Sequence, residues 1–141
     1  MVEAEVVTRR LLVLSQALAQ LSRPQCGDPA LLRTDDTLRA AVERWLQLAI
    51  EACIDVAFHA IAFEGWTPPE SARSAFATLA AHGRLPLDLA DRLGLAAGLR
   101  NVLVHDYVDV DTELLARAVL DDTSDLRAFA VIAGGWLRKG D

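Results

Sequence analysis

The sequence predicts an all-α fold: an up-and-down bundle of five to six helices built around a long second helix. Three observations carry that prediction. Aromatics are only 6% of the chain, while Ala and Leu dominate, a balance that favours helices. Apolar residues recur at three- and four-residue spacing, and no stretch alternates as a half-buried strand does. Gly, Pro, Asp and Thr punctuate the apolar segments at intervals of helix length. With 141 residues, a single domain over 1–141 is expected, long enough to bury a core.

Glu3 to Ser22 reads as an amphipathic helix, with Val7, Leu11, Leu14, Leu18 and Leu21 on one face. Arg23-Pro24 stops it, and Cys26-Gly27-Asp28-Pro29 has turn chemistry. Thr34, Asp35 and Asp36 offer N-caps for the long second helix, which reaches about Phe63 before Gly65 ends it. Apolar side chains cover most of that helix. The charged remainder is a narrow strip of Arg44, Glu51, Asp55 and His59. Such a helix must be covered on several sides, at the bundle centre or by a second subunit. Thr67-Pro68-Pro69-Glu70 reads as a capping box opening a third helix that closes at His82-Gly83. Pro86 opens a fourth, running to about His105, with Leu95, Leu99, Val102 and Leu103 as its core stripe. A short helix over 114–120 and a last one capped by Thr123 and Ser124 complete the bundle, with a bend expected at Gly134-Gly135.

The balance of charge and cysteine narrows the function. The chain is 52% hydrophobic and 24% charged, hence globular rather than disordered. Charges interrupt each candidate membrane span, and the N-terminus has no cleavable signal pattern, so the cytoplasm is expected. Cys26 and Cys53 stand apart from any His/Cys cluster; Cys53 reads as a small core residue, and no metal site or cofactor is expected. A net charge of −6 excludes a broad electrostatic grip on nucleic acid.

Reactive side chains concentrate in one stretch, Arg100-Asn101-Val102-Leu103-Val104-His105-Asp106-Tyr107. Imidazole exchanges protons near neutral pH, and the guanidinium fork matches phosphate oxygens. Together they suit phosphodiester chemistry. Asn101 and His105 are four apart, so the amide can orient the ring. Gly94 and Gly98 share their strip, which points to close approach by another backbone or a substrate. Arg100 lies about 140° from His105 on a regular helix. The two converge only where the helix ends or bends near Leu103 to His105, or where a second protomer completes the site.

This arrangement of Arg100, Asn101, three apolar residues, His105, one residue and Tyr107 resembles the R-x4-H-x-Y motif of HepT-type toxins in the HEPN superfamily of helical ribonucleases. Ala41 to Arg44, Leu46 to Ala52, Asp55 and His59 look like that family's long second helix, and Pro68 to Ser71 and the Gly83–Asp88 joint also fit. The likeness runs from about Leu38 to Asp111. It implies a HEPN-like homodimer in which two motifs share a cleft. It also implies a metal-independent endoribonuclease, with Arg100, His105 and Asn101 catalytic and RNA, transfer RNA included, as substrate. By the same resemblance the chain is the toxin of a type VII toxin–antitoxin pair. A minimal nucleotidyltransferase (MntA-like) antitoxin would neutralise it by AMPylation of Tyr107.

Plainer readings stand beside these. Arg100 and His105 can be a helix-end arginine and a dipole-favoured histidine. Tyr107 can be a partly buried aromatic. Glu51, Asp55 and His59 either form a solvated face, with Asp55 and His59 pairing as neighbours, or line the cleft and position Arg100. His82 reads as a terminal, exposed histidine, and Trp45, Trp66 and Trp136 as packing anchors. A non-catalytic helical dimer that docks a nucleotidyltransferase or holds a nucleotide is the alternative function, and the acidic charge favours it.

Overall fold

In the computed structural model, residues 2–105 and 111–139 are described, and within them the chain forms six α-helices and one 3-10 turn. Helix α1 (Val2–Leu21) precedes the 3-10 turn Pro24–Gly27. There follow α2 (Pro29–Thr34), α3 (Asp36–Glu64), α4 (Ala72–Ala81), α5 (Leu87–Val104) and α6 (Thr112–Lys139).

Local chemistry sets most boundaries. Asp28 caps α2 by accepting from the Ala30 and Leu31 N–H groups; the sequence was read as a turn here, and the short helix is additional. Asp35 accepts from Leu38 N–H at 3.0 Å and starts α3. Gly65 stops α3 with φ of 73°, a left-handed conformation that glycine adopts without steric cost. The expected Thr67–Glu70 box is not the start of α4. Ser71 caps it instead, and Ser74 returns the bond to the Ser71 N–H at 3.0 Å. The reason is that Pro68 and Pro69 bias the residues before them towards extended backbone.

The expected break at Thr123 and Ser124 is absent: α6 runs through both. The buried Thr123 hydroxyl donates to Val119 O at 2.6 Å, inside the helix rather than ahead of it. Hydroxyl residues have this second option, and packing on both sides selects it.

Helix α3 packs against all five other helices and forms the bundle's axis. By length and composition it could cross a membrane, contrary to the expectation that charges interrupt each candidate. Its buried residues Val42, Leu46, Ile50, Cys53, Val56 and Ile61 are spent on its own neighbours. They divide between two clusters. The larger holds Leu14, Ile50, Cys53, Phe76, Leu93 and Phe129; the smaller holds Leu32, Val42, Leu46, Leu103 and Leu115. Each such Leu, Ile or Phe contributes roughly 1.5–3 kcal/mol on burial. Phe129 meets both Phe76 and Trp136 edge-on at 5.9 Å between ring centroids, so Trp136 is a packing residue, as expected. Leu99 touches both clusters, and beyond it α5 leaves the larger for the smaller.

Candidate active site at the end of the fifth helix

Helix α5 is anchored by Leu89, Ala90, Leu93, Ala96 and Ala97, all buried. Of the four expected core residues only Leu103 is buried and Leu99 half-buried; Leu95 is 64% exposed and Val102 39%. The face turned inward is thus rotated from the expected one. Alanines, weak signals in a sequence, fill three of its buried positions, Ala90, Ala96 and Ala97.

The helix ends at Val104. His105 is its C-cap, with φ of −88° and ψ of 95°, an extended backbone whose N–H reaches Val102 O at 3.2 Å. Past that point the 100° step no longer dictates where side chains point. This is the condition under which Arg100 and His105 can face one site. Both His105 and Asn101 are exposed. Tyr107, the expected modification site, lies outside the described residues, as does Asp106.

Arg100 is half-buried, and its Nη1 lies 3.7 Å from Glu51 Oε1 on α3. Its Nε is buried and, among the described residues, has no acceptor. Gln47 Nε2 donates to the same Glu51 Oε1 at 3.2 Å. The rest of the expected strip divides. Asp55 Oδ2 meets Arg10 Nε of α1 at 3.4 Å rather than forming part of the Arg100 cluster, and His59 is half-buried. Away from this end, His82 is exposed as expected but stacks on Trp66 at 3.6 Å between centroids.

The two helical glycines separate. A Cβ on Gly94 would come within 3.0 Å of Arg73 Cγ, so a side chain rather than a backbone approaches there. At Gly98 nothing lies within 4 Å. Gly98 borders an open groove of about 340 Å³ between α5 and α6, lined also by Leu95, Leu99, Val102, Leu114 and Asp122. The Asp122 carboxyl is pushed up to about 6, chiefly by burial and then by the nearby charges of Asp125 and Asp121. The sequence reading missed Asp122 because a helix break at Thr123 would have left it in a solvated turn. Cys53 is fully buried, and burial raises its thiol well above the ordinary range, so it is an inert core residue.

A family model described as ribonuclease HepT-like matches residues 14–131. The chain belongs to the ribonuclease HepT-like family. Within it, the mRNA nuclease HepT of Shewanella oneidensis is 28% identical over 125 residues, 89% of this chain and 93% of that protein. Among solved structures, a toxin–antitoxin complex with AMP-PNP superimposes with a TM-score of 0.85 at 26% identity, covering 93% of this chain and 98% of the other. The tri-AMPylated Shewanella oneidensis HEPN toxin, in complex with MNT antitoxin, has a TM-score of 0.83 at 27% identity, covering 92% and 97%. The HEPN-like helical fold expected from the motif is therefore the fold of this HepT-like chain.

Proposed function

We propose that this chain is the toxin of a toxin–antitoxin pair and a metal-independent endoribonuclease acting on cytoplasmic RNA as a homodimer. The observation that carries this reading is the end of α5 at Val104, between Arg100 and His105, in a chain of the ribonuclease HepT-like family. The family match supports a nuclease; the chemistry follows from the side chains.

RNA brings its own nucleophile in the 2′-hydroxyl. His105 takes the proton from that hydroxyl, or gives one to the leaving 5′-oxygen, according to its protonation. The 2′-oxygen bonds to phosphorus as the bond to the 5′-oxygen breaks. Negative charge grows on the phosphoryl oxygens, and Arg100 neutralises it. Asn101 orients the imidazole. The products are a 2′,3′-cyclic phosphate and a 5′-hydroxyl. Pairing two chains about a two-fold axis brings two such motifs to one cleft and offsets the acidic charge of each.

Control follows from what the Shewanella toxin carries and binds. A nucleotidyltransferase antitoxin adds AMP to Tyr107, two residues beyond His105. The phosphodiester charge it brings competes with RNA for Arg100.

The test is cleavage of RNA by the purified chain and by His105→Ala. General acid–base catalysis is worth about 10²- to 10⁴-fold, so the variant loses at least that much while its melting curve is unchanged. Expressed alone, the wild-type chain arrests growth and the variant does not. Fragments carrying a 5′-phosphate would contradict the mechanism. A wild-type chain that neither cuts nor arrests growth would leave the docking dimer, which the acidic net charge favours.

A further inference from the structure

We infer that Glu51 is a positioning residue that holds the Arg100 guanidinium by one nitrogen and leaves its other edge for the phosphate of the substrate. The inference rests on the nuclease reading for its catalytic consequence, and on geometry for the positioning itself.

Two carboxylates on the charged face of α3 were candidates for this role. Asp55 is taken by Arg10, so Glu51 is the one that crosses to α5. Its carboxylate is itself steadied by Gln47, one turn earlier on α3. The result is a chain of contacts from the bundle's axial helix to the arginine beside the helix end.

Stability is a poor explanation of this pair. At 3.7 Å, with side chains 28% and 32% exposed, it is a loose, part-solvated contact of the kind that adds little. The half-buried pair of Glu64 with Arg84 closes to 2.8 Å by comparison. What the Glu51 contact does is limit a long side chain whose rotamer freedom would otherwise be large.

The unsatisfied Nε completes the argument. A buried donor without an acceptor is costly and uncommon. Nε and Nη2 form the edge of the guanidinium that meets two phosphate oxygens at once. Glu51 engages Nη1, outside that edge. Nε is closed off from solvent in the single chain, so a phosphate meets that edge only once the Arg100 side chain shifts about the nitrogen that Glu51 holds.

Glu51 also subtracts from the positive potential of Arg100. Removing its charge therefore strengthens RNA binding while loosening the group that must be aligned in the transition state. Glu51→Gln should lower kcat about ten- to hundredfold, with KM unchanged or reduced. Glu51→Asp keeps the charge but draws it back, and should fall between. Glu64→Gln breaks a comparable pair about 20 Å away along α3 and should leave kcat alone. Independently of cleavage, the Arg100 Nε–Hε resonance should be ordered in the wild-type chain and mobile in Glu51→Gln. An unchanged resonance, or a Glu51→Gln variant with full kcat, overturns the inference. A wild-type chain inert towards RNA whose Arg100 resonance still loosens in Glu51→Gln sinks the nuclease reading and keeps the positioning pair.

Discussion

The two halves of α5 differ in how much of each is buried. From Leu89 to Ala97 the helix buries Leu89, Ala90, Leu93, Gly94, Ala96 and Ala97. From Gly98 onward only Leu103 is buried, and Gly98, Asn101, Val102, Val104 and His105 face outward. Val102 and Val104 are 39% and 46% exposed. One half is an anchor and the other a presented end. Rigid attachment upstream is what lets a short terminal stretch hold a defined geometry.

Substitutions at opposite ends of α5 test that division. Leu93, 1% exposed in the larger cluster, is the strongest anchor test. Leu93→Ala should cost about 2–5 kcal/mol in urea unfolding. It should leave the kcat of the folded fraction near the wild-type value, the reverse of the His105→Ala signature. A loss below about 1 kcal/mol would mean that this half is not the anchor.

Asp122 sharpens the picture on the groove side. Its carboxyl titrates near 6 in the fold against an ordinary value of 3.8, so the folded chain holds a proton that the unfolded chain has released. That contribution to stability is fully present below about pH 4 and is lost as pH rises through 6. Asp122→Asn should therefore raise the melting temperature at pH 7.5, by a margin that shrinks as pH falls towards 4. A margin independent of pH would show that Asp122 is solvated and no part of a packed groove wall.

The smallest effect is at Gly98. With nothing within 4 Å of an added Cβ, Gly98→Ala should stabilise the helix by about 0.5–1 kcal/mol, read from urea unfolding. Gly94→Ala, crowded by Arg73 Cγ at 3.0 Å, should gain less. If Gly98→Ala stabilises the chain but suppresses cleavage, the space above Gly98 is used by RNA or by a second protomer.

Much of this was legible in the residues. Asp35 and Gly65 bound α3, and of the face Val7, Leu11, Leu14, Leu18 and Leu21, all are buried except Leu11, which is half-buried. The errors share a cause. Leu95 and Val102 were assigned to the core because large apolar side chains outweigh Ala96 and Ala97 in any periodicity. Thr123 was read as a cap because a hydroxyl can serve either a helix start or a carbonyl one turn back. Neither ambiguity is resolved by neighbours in the chain.

By itself the sequence determined the helical class, the main helix limits and the R-x4-H-x-Y grouping. These depend on backbone propensity and capping within a few residues. Only the tertiary structure decided that α6 is continuous, which face of α5 turns inward, and that Glu51 rather than Asp55 meets Arg100. Those outcomes depend on which surfaces of distant helices meet, a matter of packing that no local window of residues contains.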